Sequence, residues 1–326
     1  MARAELAQRQ APTGPVDHDG EVRLHSQRQL IWSRLKKDKA AIGGGVLLIG
    51  IVLLAVLAPV ISKVIGHGPN ELFPSMLTTS LGLPKGPNRH FWFGSDQVGR
   101  DVFVRVAYGA RTSLLIALVG TFFANLLGVI IGLIAGFYGG RIDSILSRLI
   151  DIFLSLPLIV FSIGIASVCS ATATGCFWGL LRPGISLVIG IIALFTWAYL
   201  ARVVRGQVLS LRRQEFCSAA VSIGAGNYRI MFWELLPNLV APILVFTTLT
   251  IPSNILFAAD LSFLGLGVPQ STPDWGRMLA DATSGALFTY AWWMMLFPGA
   301  AIVLTTLAFN LLGDGLADAM DSRGAM

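Results

Sequence analysis

Charge is what this chain has least of. Of its 326 residues only 13% are Asp, Glu, Lys or Arg, against about 25% in ordinary soluble domains. That is too few to coat a water-facing surface. With 54% hydrophobic residues and a mean hydropathy of +0.70, the composition is that of a polytopic membrane protein. Histidine is scarce as well: His18, His25, His67 and His90 all lie outside the apolar runs. An intramembrane protease or transferase would need acid–base groups at membrane depth, so this placement argues against one. No carboxylate sits near the middle of an apolar run, and the relay expected of an ion- or proton-coupled carrier is therefore missing. A Gly-x4-Gly-Lys-Ser/Thr phosphate loop is also absent, so the chain is not expected to hydrolyse ATP or to act as an enzyme.

Cysteine is the third scarcity, with three in all and no CxxC or HExxH spacing that would hold a metal. Cys169 and Cys176, separated by six residues in SVCSATATGCFWG, admit two readings. They close a disulfide if this loop faces an oxidising compartment, or they are two unpaired small residues. Cys217 is expected to stay reduced. The net charge of +6 brings nucleic acid to mind, but no soluble basic face accompanies it. Basic residues of membrane proteins collect in cytoplasmic loops, which accounts for the excess.

What the sequence does have is long apolar runs. A helix needs about 20 such residues to cross a bilayer, and six runs qualify, giving an all-α protein of six transmembrane helices. They are placed at 40–62, 112–138, 144–168, 184–205, 235–259 and 287–313. The polar, basic residues 1–39 precede a first run about twice as long as the ~7–15-residue core of a signal peptide, so an uncleaved span is expected there. An outer loop over 63–111 carries Pro69, Pro74, Pro84 and Pro87, then a stretch from Asp96 to Tyr108 that alternates charge with Val and Phe. That alternation predicts an amphipathic helix on the membrane surface. A second outer loop covers 260–286, and a cytoplasmic tail 314–326.

With the N-terminus inside, sixteen Lys and Arg fall on the inner side and eight on the outer, which favours cytoplasmic N- and C-termini. Gly120, Ala124, Gly128, Gly132, Gly136 and Gly140 recur every four residues through the second run, a small-residue stripe suited to close helix packing. Pro157, Pro242, Pro252 and Pro298 interrupt later runs. Arg148 and Asp151 stand three apart, the spacing of a structural ion pair. Asn125, Asn254 and Asn310 are expected to hydrogen-bond between helices.

A cytoplasmic loop is placed at 206–234, and the stretch Arg212–Asn238 is a charged, glycine-punctuated island between two apolar runs. Gln214–Ser222 has helix formers, and Ala219 and Ala220 leave little bulk, so a partner's groove can approach. Gly224 and Gly226 can reverse the chain through positive φ, and Pro237 restricts entry into the fifth span.

The order Ala219-Ala220, Gly224, Leu236-Pro237 resembles the coupling-loop signature of ABC-importer permeases: Glu-Ala-Ala, three residues, Gly, nine residues, Ile, one residue, Leu-Pro. Ser218 stands at the Glu position and Glu234 at the Ile position. Glu215, one turn before Ser218, is a candidate for the polar contact. Three further segments narrow the resemblance to permeases of the peptide/opine/nickel group, and within it to the second, C-type, dipeptide/oligopeptide permease. They are WFGSDQVGRDVFVRVAYGARTSL from Trp92, LSFLGLGVPQSTPDWGRML from Leu261, and PGAAIVLTTLAFNLLGDGLADAMDSR from Pro298. Residues 1–30 and the insertion Cys169–Trp178 have no counterpart in that pattern.

The resemblance implies a type I ABC-importer permease in a bacterial or archaeal plasma membrane, surrounded by lipid. It implies a homologous second permease, two ATP-binding subunits that carry ATP and Mg, and an extracytoplasmic substrate-binding protein. Glu215, Ser218, Ala219, Ala220, Gly224, Leu236 and Pro237 would couple to the ATPase. Asp96, Gly99, Arg100, Asp101, Trp275 and Gly276 would dock the binding protein, form an outer gate, or simply cap and anchor the outer segment. Peptides are the group's commonest cargo; nickel chelates, glutathione and opines use similar permeases.

Overall fold

The computed structural model describes residues 33–78, 82–172, 174–179 and 181–320. Most of the polar segment 1–39, including residues 1–30, and the end of the tail with Arg323 lie outside the described residues. Among those described, the chain is helical without a strand; three isolated bridges, one of them Ser95 to Asp101, close turns. Five helices are long and apolar enough to cross a membrane, and a bent pair makes a sixth crossing if counted as one span.

Helix α1 (Lys39–Ile65) starts on Asp38, whose carboxylate accepts from the N–H groups of Ala40 and Ala41 at 2.8 and 3.3 Å. Helix α2 runs from Val102 to Tyr138, 37 residues, about 55 Å at ~1.5 Å per residue. It corrects the expectation of a separate surface helix over Asp96–Tyr108. Residues 96–100 form a turn, Asp101 caps the N–H groups of Phe103 and Val104 at 2.9 and 3.3 Å, and the helix then continues unbroken into the apolar run. Arg105, which interrupts the apolar pattern, is itself buried at 1% exposure.

The third apolar run is two helices, α3 (Gly140–Ser155) and α4 (Leu158–Ser170), bent by 86°. Pro157 lacks an N–H and pushes Leu156 into extended backbone, which ends α3. Helix α5 covers Ile185–Leu211, and the short α6 covers Glu215–Ser222. Helical chain resumes at Asn227, passes through a wide π turn at Ile230–Leu235 and becomes α7 (Leu236–Phe263). Pro237 therefore does not open the helix; the π turn before it accommodates the missing hydrogen bond. Helix α8 (Trp275–Thr283) follows, then α9 (Trp293–Met320). The last helix sits later than the run 287–313 that hydropathy outlines, because Ser284–Thr289 is a 3-10 turn.

The small-residue stripe explains the core. A Cβ on Gly128 would lie 2.7 Å from the Trp197 carbonyl, one on Gly132 2.5 Å from that of Ala201, and one on Gly136 2.7 Å from Val208 Cβ. Successive positions on α2 meet successive positions on α5, so these two helices run parallel at closest approach. Gly140 is not part of this seam: it opens α3 and faces open space. Helix α7 packs on the neighbouring face of α2, tied by Asn125 Nδ2 to Thr247 Oγ1 and Asn254 Nδ2 to Thr121 Oγ1, both 2.7 Å. Asn310 differs from these two asparagines. It is exposed on α9, and its side-chain amide makes no hydrogen bond among the described residues.

Candidate functional site

The island between α5 and α7 is held in place before it presents anything. Arg212 donates to the Gly136 and Phe137 carbonyls at 3.1 and 2.9 Å, tying the end of α5 to the end of α2. Nearby, Arg205 donates to Asp143 through Nε and Nη2 (Nη2–Oδ2 2.8 Å), and the exposed Arg202 meets Asp151 at 2.6 Å. These ion pairs join α3 to α5; the pair of Arg148 with Asp151 suggested by their spacing does not form.

Helix α6 divides its small residues between two faces. Cys217 and Ala220 are buried against Leu133, Val208, Ile230 and Leu235, while Ser218 and Ala219 are exposed. The two alanines thus do different work: Ala220 lets α6 sit down on the bundle, and Ala219 keeps its outer face low. Cys217 is a free thiol, pushed above its ordinary pKa by burial and, less, by Glu234. Glu215 stands exposed in the first turn, on the same side as Ser218. The helix ends in a Schellman turn. Gly224 N–H donates to the Val221 carbonyl at 2.9 Å and Ala225 N–H to that of Ala220 at 3.0 Å, with Gly224 at φ +78°. Gly226, in contrast, has φ −71° and precedes the first helical turn at Asn227, so Gly224 alone makes the reversal. Leu236 is half-buried and Pro237 exposed at the foot of α7. Beside α6 lie exposed Val221, Ile223, Tyr228 and Trp233, and a cleft of about 460 Å³ bordered by Phe137, Arg212, Ser218 and Ser222. The result is a low, apolar knob on a braced base.

The second group of expected site residues lies together at the other end of the bundle, and it points inward. Asp96, Arg100, Asp101 and Trp275, together with Arg105, Asp274 and Asp281, which the sequence did not single out, are each no more than 5% exposed. Asp96 accepts from the N–H groups of Val98 and Arg100 at 3.0 and 2.9 Å and from Arg100 Nε at 2.6 Å, with Arg105 Nε at 3.7 Å. Arg105 reaches the Pro69 carbonyl at 3.0 Å, Asn70 Oδ1 at 3.1 Å and the Gln270 carbonyl at 3.3 Å. Asp281 faces Arg100 and Arg277, each at 3.5 Å. Burial raises the Asp281 carboxyl above the usual range, against the pull of those arginines. Asp101 meets His67 Nδ1 at 2.7 Å. Gly99 turns at φ +84°, where a Cβ would lie 2.7 Å from the Phe73 carbonyl.

Across this seam, Trp275 packs on Gly109 and donates to the Val106 carbonyl at 3.0 Å. A Cβ on Gly276 would overlap the Ala259 carbonyl. Asp274 caps α8 through Arg277 N–H at 3.1 Å and takes the Ser113 hydroxyl at 2.8 Å; burial pushes its carboxyl up. These side chains are committed to one another and offer little to an outside partner. Their geometry is that of an anchor joining segment 66–101 to α8. Sequence reasoning missed Arg105, Arg277, Asp281 and His67, whose partners lie as far away as Arg100 from Asp281, 181 residues apart. Cys169 and Cys176 are joined as a disulfide beneath a turn that carries Trp178, fully exposed at φ +55°.

Comparison with known proteins gives two family matches. Residues 128–324 match the binding-protein-dependent transport system inner membrane component. Residues 26–76, a region the signature segments did not reach, match the N-terminal TM domain of oligopeptide transport permease C. The chain is 38% identical over 312 residues to the dipeptide transport system permease protein DppC of Alkalihalophilus pseudofirmus, covering 96% of this chain and 95% of that protein. It is 37% identical to the oligopeptide transport system permease protein OppC of Bacillus subtilis, covering 93% and 94%. It is also 37% identical to the di/tripeptide transport system permease protein DppC of Pseudomonas aeruginosa, covering 90% and 91%.

Proposed function

From the premise that the chain belongs to the binding-protein-dependent transport system inner membrane components, we propose that it forms half of the translocation path of an ATP-driven importer of di- and oligopeptides. The relatives described above carry dipeptide, oligopeptide and di/tripeptide transport in their names, and that supports peptide over nickel chelate, glutathione or opine as cargo.

The observation that carries the mechanism is the α6 knob. An exposed apolar patch at the end of a braced bundle is a contact surface, and this one stands where the chain itself lacks any phosphate loop. In this reading Glu215, Ser218, Ala219, the Gly224 turn and the exposed Pro237 face the ATPase, while Ala220 and Leu236 seat the loop on the bundle. Two ATPases with ATP and Mg lie on the cytoplasmic side with both termini. A homologous permease completes the path, and a binding protein delivers peptide from outside. The buried Asp96–Arg100–Asp101 segment and the Trp275-Gly276 contact hold the outer surface in shape; exposed neighbours make the docking contact. The disulfide-bonded loop at Cys169–Cys176 lies on that outer, oxidising side.

Co-expression with the two ATPases and the sister permease, followed by reconstitution with the binding protein, tests this reading. Uptake of labelled dipeptide should require ATP and all the subunits. Uptake that persists without the ATPases and collapses with the proton gradient would return the chain to the ion-coupled carriers.

A further inference from the structure

Halfway along α5 and α7 the surface of the bundle changes character. The large exposed side chains of α1 are aliphatic, Ile42, Val46, Ile49, Leu53 and Val56 among them, as a face turned to hydrocarbon requires. On α5 and α7, by contrast, Thr196, Tyr199, Thr250 and Ser253 border a concavity of about 410 Å³, with Phe246 and Phe257 as its apolar walls. Thr196 and Thr250 donate back to the carbonyls of Ile192 and Phe246 at 2.8 and 2.7 Å. The hydroxyls of Tyr199, 60% exposed, and of the exposed Ser253 make no hydrogen bond among the described residues. Tyr199 lies in the middle of the 27-residue α5, about 21 Å along it at ~1.5 Å per residue. Two hydroxyls without partners at that depth would each lose their hydration if they faced lipid. Close helix–helix contact does not explain the surface either. Where this chain makes such a contact, between α2 and α5, it uses glycines; here it presents a tyrosine and two phenylalanines around a space within the ~300–1,000 Å³ range of small-molecule sites.

We propose that this groove is the chain's wall of the translocation path, and that it holds a passing peptide by its main chain. The inference rests on the importer reading. The hydroxyls of Tyr199 and Ser253 each offer one donor and acceptor lone pairs, which match the N–H and C=O of a peptide bond. Phe246 and Phe257 give apolar contact to side chains of any kind. No Asp, Glu, Lys or Arg borders the groove, so it does not sort peptides by charge. Any sorting of that type falls to another component.

The test uses the assembled transporter in membrane vesicles, with cysteine placed singly by Ser253→Cys, Tyr199→Cys and, on the aliphatic face, Leu53→Cys. Native thiols do not interfere, since Cys217 is buried and Cys169 and Cys176 are bonded. A water-soluble methanethiosulfonate should label the first two at least tenfold faster than Leu53→Cys, and dipeptide substrate should slow that labelling. Ser253→Trp should lower uptake of acidic, basic and neutral dipeptides by one common factor, within about twofold. Labelling no faster than at Leu53→Cys overturns the proposal. So does a Ser253→Trp effect confined to one charge class, or a permanent cross-link from Ser253→Cys to the second permease throughout the ATP cycle. Uptake by the parent chain is read in the same vesicles. If it is absent while both cysteines label, the importer reading has failed and takes the peptide assignment with it, a result distinct from an inaccessible groove.

Discussion

Gly224→Val is expected to cut ATP-driven uptake by about tenfold or more in a complex that still assembles. Gly224 holds φ +78°, a conformation that closes the Schellman turn of α6. An L-residue pays about 1–2 kcal/mol there, and a β-branched one is the least suited; at ~1.4 kcal/mol per tenfold change, the equilibrium constant for closing the turn falls about tenfold. Crowding is not the cause, because a Cβ at Gly224 would meet nothing within 4 Å. The damage is therefore confined to the turn, and Gly224→Asn, which tolerates the left-handed region, should retain much more uptake. Parallel measurement of ATP hydrolysis should find turnover continuing while uptake falls. Parental uptake in the valine variant would remove α6 from the coupling mechanism.

The largest effect on stability is expected from Asp96→Ala. It removes the carboxylate that accepts from Arg100 and faces Arg105, leaving two guanidiniums at 5% and 1% exposure with Asp281 as the remaining carboxylate nearby. Breaking a buried pair by removing one partner costs about 3–5 kcal/mol. At ~2–4 °C per kcal/mol for chains of a few hundred residues, the unfolding midpoint of the purified protein should drop by roughly 10 °C. Arg89→Ala also alters charge in the same loop, but Arg89 is exposed and should be nearly neutral. Equal midpoints for the two variants would show that the Asp96 cluster is not an anchor.

These two sites differ in how far the sequence reveals them. The α6 turn is local: helix formers, then Gly224, then Pro237 are all legible within one stretch, and so is the small-residue seam of α2. What stayed hidden depends on contacts between distant residues. Arg105 looks like the end of an apolar run, yet Pro69, Asn70, Asp96 and Gln270 bury it and let α2 begin at Val102. Helix α9 starts at Trp293, whose indole donates to the Ser95 carbonyl at 2.9 Å, 198 residues away. Hydropathy alone places that start at 287. Pro157 marked a weak point in the third run, but not an 86° bend. The assignment of Ala219 outward and Ala220 inward, and the placing of Tyr199 and Ser253 around one groove, depend on helix registers that no local pattern supplies.

In the proposed coupling, α6 is the surface a motor pushes. Ala219→Cys tests it most directly, since position 219 is exposed on α6 while the native Cys217 is buried. In the assembled transporter, a short bifunctional thiol reagent should join Ala219→Cys to a cysteine introduced beside the nucleotide site of the ATPase, with a yield that changes on adding ATP. Trp178→Cys, on the disulfide-bonded loop, should give no such product and should instead react with an impermeant thiol reagent added outside whole cells. Labelling of Ala219→Cys from outside, or an Ala219→Cys that never cross-links to the ATPase in a transporting complex, would contradict the account.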